Sequence, residues 1–159
     1  MLGIRRYRTD VSTLGARFIS QFEGFRARPY HDAVGKPTIG FGHTEGVTMQ
    51  SKALTLAKAR TLLQSDLTKT YAPPVARLLK AEGIKTTAAE FNALVSAVYN
   101  LGPGILDRGR TLGDAIRSKD RHRIGDAFLV YDKADGQTLA GLTRRRHAER
   151  TLFLTGKYS

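Results

Sequence analysis

Phe22-Glu23-Gly24-Phe25-Arg26-Ala27-Arg28-Pro29-Tyr30-His31-Asp32-Ala33-Val34-Gly35-Lys36-Pro37-Thr38-Ile39-Gly40-Phe41-Gly42-His43 is the stretch on which the reading of this chain turns. It spaces Glu23, Asp32 and Thr38 as Glu-x8-Asp-x5-Thr and runs directly into Ile39-Gly40-Phe41-Gly42-His43. Pro29, Gly35, Pro37, Gly40, Gly42 and Gly46 punctuate short extended pieces, the texture of hairpins. Strand alternation puts Thr38, Gly40 and Gly42 on one small, polar face suited to a ligand, and Ile39, Phe41 and His43 on an apolar face suited to a core. Two carboxylates and a hydroxyl around tight turns are the parts that acid-assisted cleavage of a glycosidic bond needs. One carboxyl protonates the leaving oxygen; the other positions or activates water, or attacks the sugar itself. The short Gly-x-Gly pair is weak evidence for phosphate binding, because no phosphate-loop lysine motif follows it.

Outward on the N-terminal side, residues 12–23 read as a helix capped by Ser12. Leu14, Phe18 and Phe22 form its core stripe, and Glu23 stands at its end just before Gly24 breaks it. Alone, Glu23 reads more simply as a solvated helix-end carboxylate, so the weight rests on the grouping. Phe22 and Phe25 supply apolar walls that help a general acid keep its proton, whereas a neighbouring cation works against it. Outward on the other side, residues 55–71 read as a long helix with Leu56, Ala59, Leu62, Leu63 and Leu67 as its stripe. Pro73-Pro74 breaks or kinks it, and a short helix over Val75–Leu79 follows. Thr87-Ala88-Ala89-Glu90 is a capping box. The helix behind it carries Phe91, Leu94, Val95, Val98 and Leu101 and stops at Gly102-Pro103-Gly104, as a central core element with Tyr99 and Asn100 at an edge. Two shorter helices follow near 108–118 and 121–131, and a last one over 139–155 ends at Gly156. The fold class is α+β, mainly α-helical, in one unit over 1–159 with a basic stretch at 1–11.

Charge and composition narrow the function classes. The chain has 26 basic and 14 acidic residues, a formal charge of +12, spread along its length. A cationic surface suits a polyanion such as nucleic acid, an anionic membrane face or an anionic cell wall, or simply keeps the protein soluble. The basic residues form no recognised reading helix and no aromatic stacking ribbon, which argues against nucleic acid. Cysteine is absent, excluding disulfides and thiolate chemistry. No apolar run approaches the ~18 residues of a membrane helix, and none follows the basic start, so neither a membrane tether nor a secretory signal is expected. His43 shares the apolar face and reads as structural, with Asp66 on the following helix as its partner. His31, His122 and His147 lie at no ligand spacing, so neither a metal nor another cofactor is expected. Arg144-Arg145-Arg146 splay around a helix by about 100° per residue, so one of them can fold back toward Glu23; Arg145 is that residue.

Several segments in order resemble the phage-type lysozymes, the endolysin family that includes phage T4 lysozyme and the lambdoid phage lysozymes. They are Phe22-Glu23-Gly24-Phe25, Tyr30-His31-Asp32 and Thr38-Ile39-Gly40-Phe41-Gly42-His43, then Ala93-Leu94-Val95-Ser96-Ala97-Val98-Tyr99-Asn100-Leu101-Gly102, and finally Gly141-Leu142-Thr143-Arg144-Arg145-Arg146 with Glu149-Arg150. The resemblance implies a small hairpin lobe and a helical lobe joined by a long helix over 55–80, with the substrate cleft between them. It implies hydrolysis, with inversion, of the bond between N-acetylmuramic acid and N-acetylglucosamine in bacterial peptidoglycan. By that resemblance Glu23 is the general acid, Asp32 positions water or stabilises charge in the sugar, and Thr38 helps hold the water. Thr44, Tyr99 and Thr111 match glycan-contacting positions, and Arg145 joins the substrate-side residues. A monomer that accumulates in the host cytoplasm, leaves through a holin pore and acts on periplasmic peptidoglycan is also implied. Two departures stand out: many lambdoid relatives carry a tryptophan near Tyr131, whereas this chain has none, and the segment after His43 is short. The competing readings are a lytic transglycosylase, which Asp32 and Thr38 disfavour because both suit the handling of water, and a non-enzymatic cationic protein that contacts outer membranes through its basic C-terminal helix.

Overall fold

The computed structural model describes residues 3–158. The first helix, α1 (Thr13–Ser20), starts where expected: Ser12 is extended and its Oγ accepts from the Gly15 amide at 3.1 Å. It ends earlier. The amides of Gln21, Phe22 and Glu23 reach back only three residues, to Phe18, Ile19 and Ser20, which tightens the chain off the helix. Glu23 therefore follows the helix in a turn. Leu14, expected in the stripe, is 55% exposed. The helix packs through its small side instead, where Gly15 lies against Asn92, while Phe18 and Ile19 enter the core.

Strands β1 (Arg26–His31) and β2 (Pro37–Gly40) pair antiparallel, with Tyr30 opposite Thr38 and Arg26 opposite Gly40 across a register irregularity. The expected alternation over 38–43 does not hold. Thr38, Ile39, Gly40 and Phe41 are all buried, and the chain reverses so that Ile39 and His43 exchange both backbone hydrogen bonds at 2.9 Å. Gly40 and Gly42 supply the left-handed φ angles, 67° and 86°, that this reversal requires. Gly40 faces no ligand: a Cβ there would come within 3.3 Å of the Ala59 methyl. The glycine lets the hairpin seat on the following helix.

That helix runs from α2 (Leu56–Asp66) through a π-helical turn (Leu67–Tyr71) into α3 (Ala72–Ala81). Pro73 and Pro74 do not break it, because they occupy the first turn of α3, where missing amides are tolerated. The widened turn absorbs the mismatch, with the Ala72 amide reaching Leu67. Ala59, Leu63, Leu67, Ala72, Val75 and Leu79 bury one side of this rod, whereas Leu56 is 41% exposed. The central helix α4 (Ala88–Leu101) has its capping box in place, and every residue from Ala89 to Val98 is buried. A 3-10 turn (Pro103–Leu106) and α7 (Ala140–Thr155) pack on it, and α5 (Thr111–Ser118) and α6 (Arg121–Phe128) stack in turn from the 3-10 turn to α7. Gly156 ends α7 in the left-handed conformation at φ 76°.

One element went unforeseen: a second hairpin, β3 (Lys133–Ala134) with β4 (Gln137–Thr138). Its turn is Asp135-Gly136, both at positive φ, a common two-residue hairpin signal. The basic N-terminal segment folds back onto the helical part. Arg6 bridges to Thr86, and Arg5 and Arg121 both pair with the buried Glu90.

Candidate active site

Glu23 is held from the far end of the chain. Arg145 Nη1 donates to its Oε1 at 2.8 Å, with the Glu23 side chain 26% exposed and that of Arg145 only 4%. The other donors of the guanidinium are committed inside: Nε to Glu149 at 3.2 Å and Nη2 to the Ser96 carbonyl at 3.2 Å. The Phe22 ring lies 5.2 Å from its central carbon, a cation–π contact. Of the three consecutive arginines, Arg144 points outward, Arg145 reaches Glu23, and Arg146 is fully buried on Glu149. Burial pushes the Arg146 guanidinium below the usual arginine value, against the opposing pull of Glu149. Expected on the substrate side, Arg145 is nearly fully buried and spends its fork on protein groups.

Asp32 and Thr38 converge on the β1–β2 turn. Asp32 Oδ1 accepts from the amides of Val34 and Lys36 at 2.9 and 2.8 Å, while Thr38 Oγ1 donates to the Lys36 carbonyl at 2.9 Å. Asp32 is partly exposed, whereas Thr38 is 2% exposed, so only the carboxylate opens to solvent to any extent. Among the described residues no hydrogen bond or ion pair joins Glu23 to either. The link is the hairpin itself, which starts three residues after Glu23 and pairs Arg26 with Gly40, two residues beyond Thr38.

A cavity of about 290 Å³ is lined by Phe41, Gly42, Thr44, Glu45, Asp66, Thr70, Tyr71 and Tyr99. Tyr99 donates to the Phe41 carbonyl at 3.2 Å and packs edge-on against Tyr71, with centroids 4.9 Å apart. Burial, followed by the nearby charge of Glu23, pushes the Tyr99 phenol above the ordinary tyrosine value. Thr44 and Tyr99 thus share one cavity with Asp66. His43 Nδ1 lies 2.8 Å from Asp66 Oδ2, and its Nε2 lies 3.0 Å from the Glu45 carbonyl. Thr111 is apart from these groups, on a separate depression with Asp114, Arg123 and Asp126. A larger cavity, about 830 Å³, is lined by Phe22, Asn100 and α7 residues between Gly141 and Thr151, Arg145 among them. Among the described residues no group of three His, Cys, Asp or Glu side chains is disposed to hold a metal. Sequence reasoning missed Ser96 and Glu149. The four-residue spacing of Arg145 and Glu149 on one helix was the available signal for the second.

A small hairpin beside a helical body, joined by a long helix, with a carboxylate carried after the first helix and held by an arginine of the last, defines a lysozyme-type fold. The chain belongs to the phage lysozyme family, whose model matches residues 20–149. It is 34% identical over 150 residues to an endolysin of Bacillus phage B103, covering 93% of this chain and 55% of that protein. It is 32% identical over 150 residues to the endolysin of Salmonella phage P22, covering 92% of this chain and 99% of that one. Among solved structures, the endolysin of Escherichia coli O157:H7 phage FAHEc1 superposes with a TM-score of 0.74 at 28% identity, covering 100% of this chain and 99% of that chain. No described helix is long and apolar enough to cross a membrane.

Proposed function

We propose that this chain acts as an endolysin, hydrolysing the β-1,4 bond between N-acetylmuramic acid and N-acetylglucosamine of peptidoglycan and so lysing the host cell, with residues 1–159 as one catalytic unit. The observation that carries the reading is the partly exposed Glu23 carboxyl, oriented at 2.8 Å by a buried arginine whose guanidinium lies over the Phe22 ring. In the reaction Glu23 protonates the glycosidic oxygen as the bond to the departing sugar breaks. Asp32 positions the incoming water or stabilises positive charge in the sugar, and Thr38 helps hold that water. Water attacks from the face opposite the leaving group and inverts the anomeric carbon. Thr44 and Tyr99 contact sugar beside this centre, and Thr111 touches the strand farther along. Arg145 holds Glu23 and makes no glycan contact. The formal charge of +12 raises the rate of encounter with an anionic wall, in a way that salt weakens.

The protein works as a monomer, accumulates in the host cytoplasm, passes a holin pore and acts on the periplasmic wall. Two relatives carry the name SAR-endolysin. The decisive experiment digests purified peptidoglycan with the native chain and with Glu23→Gln and weighs the products. Native digestion yields reducing ends one water heavier than the anhydro ends of a lytic transglycosylase, and Glu23→Gln loses at least about 10²–10⁴-fold in rate. Near-normal digestion by the variant would defeat the assignment of the acid. Killing of intact cells by the inactive variant would instead reveal a cationic action on the outer membrane.

A further inference from the structure

Glu149 is a fully buried carboxylate to which the proposed reaction gives no task. Its side chain is 0% exposed and sits between two arginines of its own helix. Oε1 accepts from Ser96 Oγ at 2.6 Å, from Arg146 Nη2 at 2.8 Å and from Arg145 Nε at 3.2 Å, while Oε2 meets Arg146 Nε at 2.7 Å. Arg146 hydrogen-bonds it through Nη2 and pairs with it in charge through Nε; Arg145 gives it one donor and spends another on Glu23. The four groups form a balanced chain, cation and carboxylate alternating from Arg146 through Glu149 and Arg145 to Glu23. Three of them are buried, where water screens little.

A fully uncompensated Arg145 would hold Glu23 as a carboxylate and spoil it as a proton donor. Glu149 takes up part of that positive charge, and Arg146 limits how much. We infer that Glu149 is a positioning residue which, counterweighted by Arg146, apportions the charge of Arg145 and so sets the pH range over which Glu23 keeps the proton it donates. The inference rests on the reading of Glu23 as the acid. Ser96 fixes the geometry from α4: its hydroxyl donates to Glu149, and its carbonyl accepts from Arg145 Nη2. The other titratable groups near this chain are Tyr99 from α4, whose phenol stays neutral near neutrality, Tyr71 packed against it, and, beyond them, Asp66 with His43.

The test is the pH dependence of peptidoglycan cleavage by the full chain and its variants, each first shown to be folded by circular dichroism. Glu149→Gln removes a negative charge, so Glu23 surrenders its proton at lower pH. The alkaline limb of the rate profile should then move down by about one pH unit or more. Arg146→Gln removes a positive charge and should move the same limb up. The double variant, in which the buried charge is again balanced, should return it toward the native position, and Glu149→Asp should leave it there. If Glu149→Gln does not fold, the upward displacement in Arg146→Gln decides. A merely structural role would lower the amplitude in every variant and leave the limb in place. That outcome, or displacement of both single variants in one direction, overturns the inference while leaving the proposed function intact. Activity surviving in Glu23→Gln would overturn both.

Discussion

Gly15→Ala sets local propensity against packing, and the two predict opposite signs. Gly15 lies inside α1, where alanine is better than glycine by about 1 kcal/mol, so a purely local reading predicts a more stable protein. The structure predicts a less stable one. A Cβ built on Gly15 falls 2.3 Å from Asn92 Cγ, 2.5 Å from its Oδ1 and 2.6 Å from its Nδ2. Asn92 is 0% exposed on α4, and its amide nitrogen donates to Ser12 Oγ at 2.7 Å and to the Tyr158 hydroxyl at 2.8 Å. Displacing it strands polar groups at a cost of about 1–3 kcal/mol, and crowding adds about 1–3 kcal/mol. After the propensity gain the net loss is about 1–5 kcal/mol, or roughly 2–20 °C in Tm for a chain of this size. Thermal and urea unfolding measure it directly. The same substitution in an Asn92→Ala background should change sign and stabilise by about 1 kcal/mol, since the obstacle is gone. A Tm at or above native in the single variant, or an equal loss in both backgrounds, would refute the packing argument.

Thr87→Ala removes one half of the α4 capping box and should cost about 1–2 kcal/mol in denaturant unfolding. Glu90→Gln takes the anionic partner from both Arg5 and Arg121. It should loosen the N-terminal segment, seen as faster hydrogen exchange at the Arg6 and Thr86 amides that bridge at 2.9 and 3.0 Å. The Tyr99 phenol is held above the ordinary tyrosine value, so the folded protein retains this proton while the unfolded chain releases it. Stability therefore falls as pH rises above the unfolded value of about 10. Tyr99→Phe should remove that part of the slope, and an unchanged slope between pH 9 and pH 11 would contradict the assignment.

The legible parts of the fold share a cause. The cap at Ser12, the capping box at Thr87 and Glu90 and the stop at Gly156 are all closed by hydrogen bonds a few residues long, so the residues that make them stand together in the chain. The apolar identity of α4 was legible for the same reason, because a helix with apolar residues on most of its faces has to be buried. The misreadings arose where a distant element intervened. Spacing alone puts Leu14 in the core, but Asn92 of α4 takes the small side of that helix. Alternation over Thr38 to Gly42 failed because α2 sits against Gly40 and the chain reverses. Pro73-Pro74 looked like a break because sequence gives no warning of a π-helical turn that places both prolines in a first turn. The Asp135-Gly136 pair is itself a turn signal, since both residues stand at positive φ.

The order of residues by itself determined the mainly helical class, the ends of the principal helices and the spacing of Glu23, Asp32 and Thr38 along the chain. Only the tertiary structure decided the surroundings of that carboxylate: Arg145 at 2.8 Å, with Glu149 and Ser96 behind it. The partners lie 122 residues apart in sequence. Contacts closed within a helical turn are dictated by neighbours, whereas a charge pair across the molecule exists only once α4 and α7 have packed and shut water out.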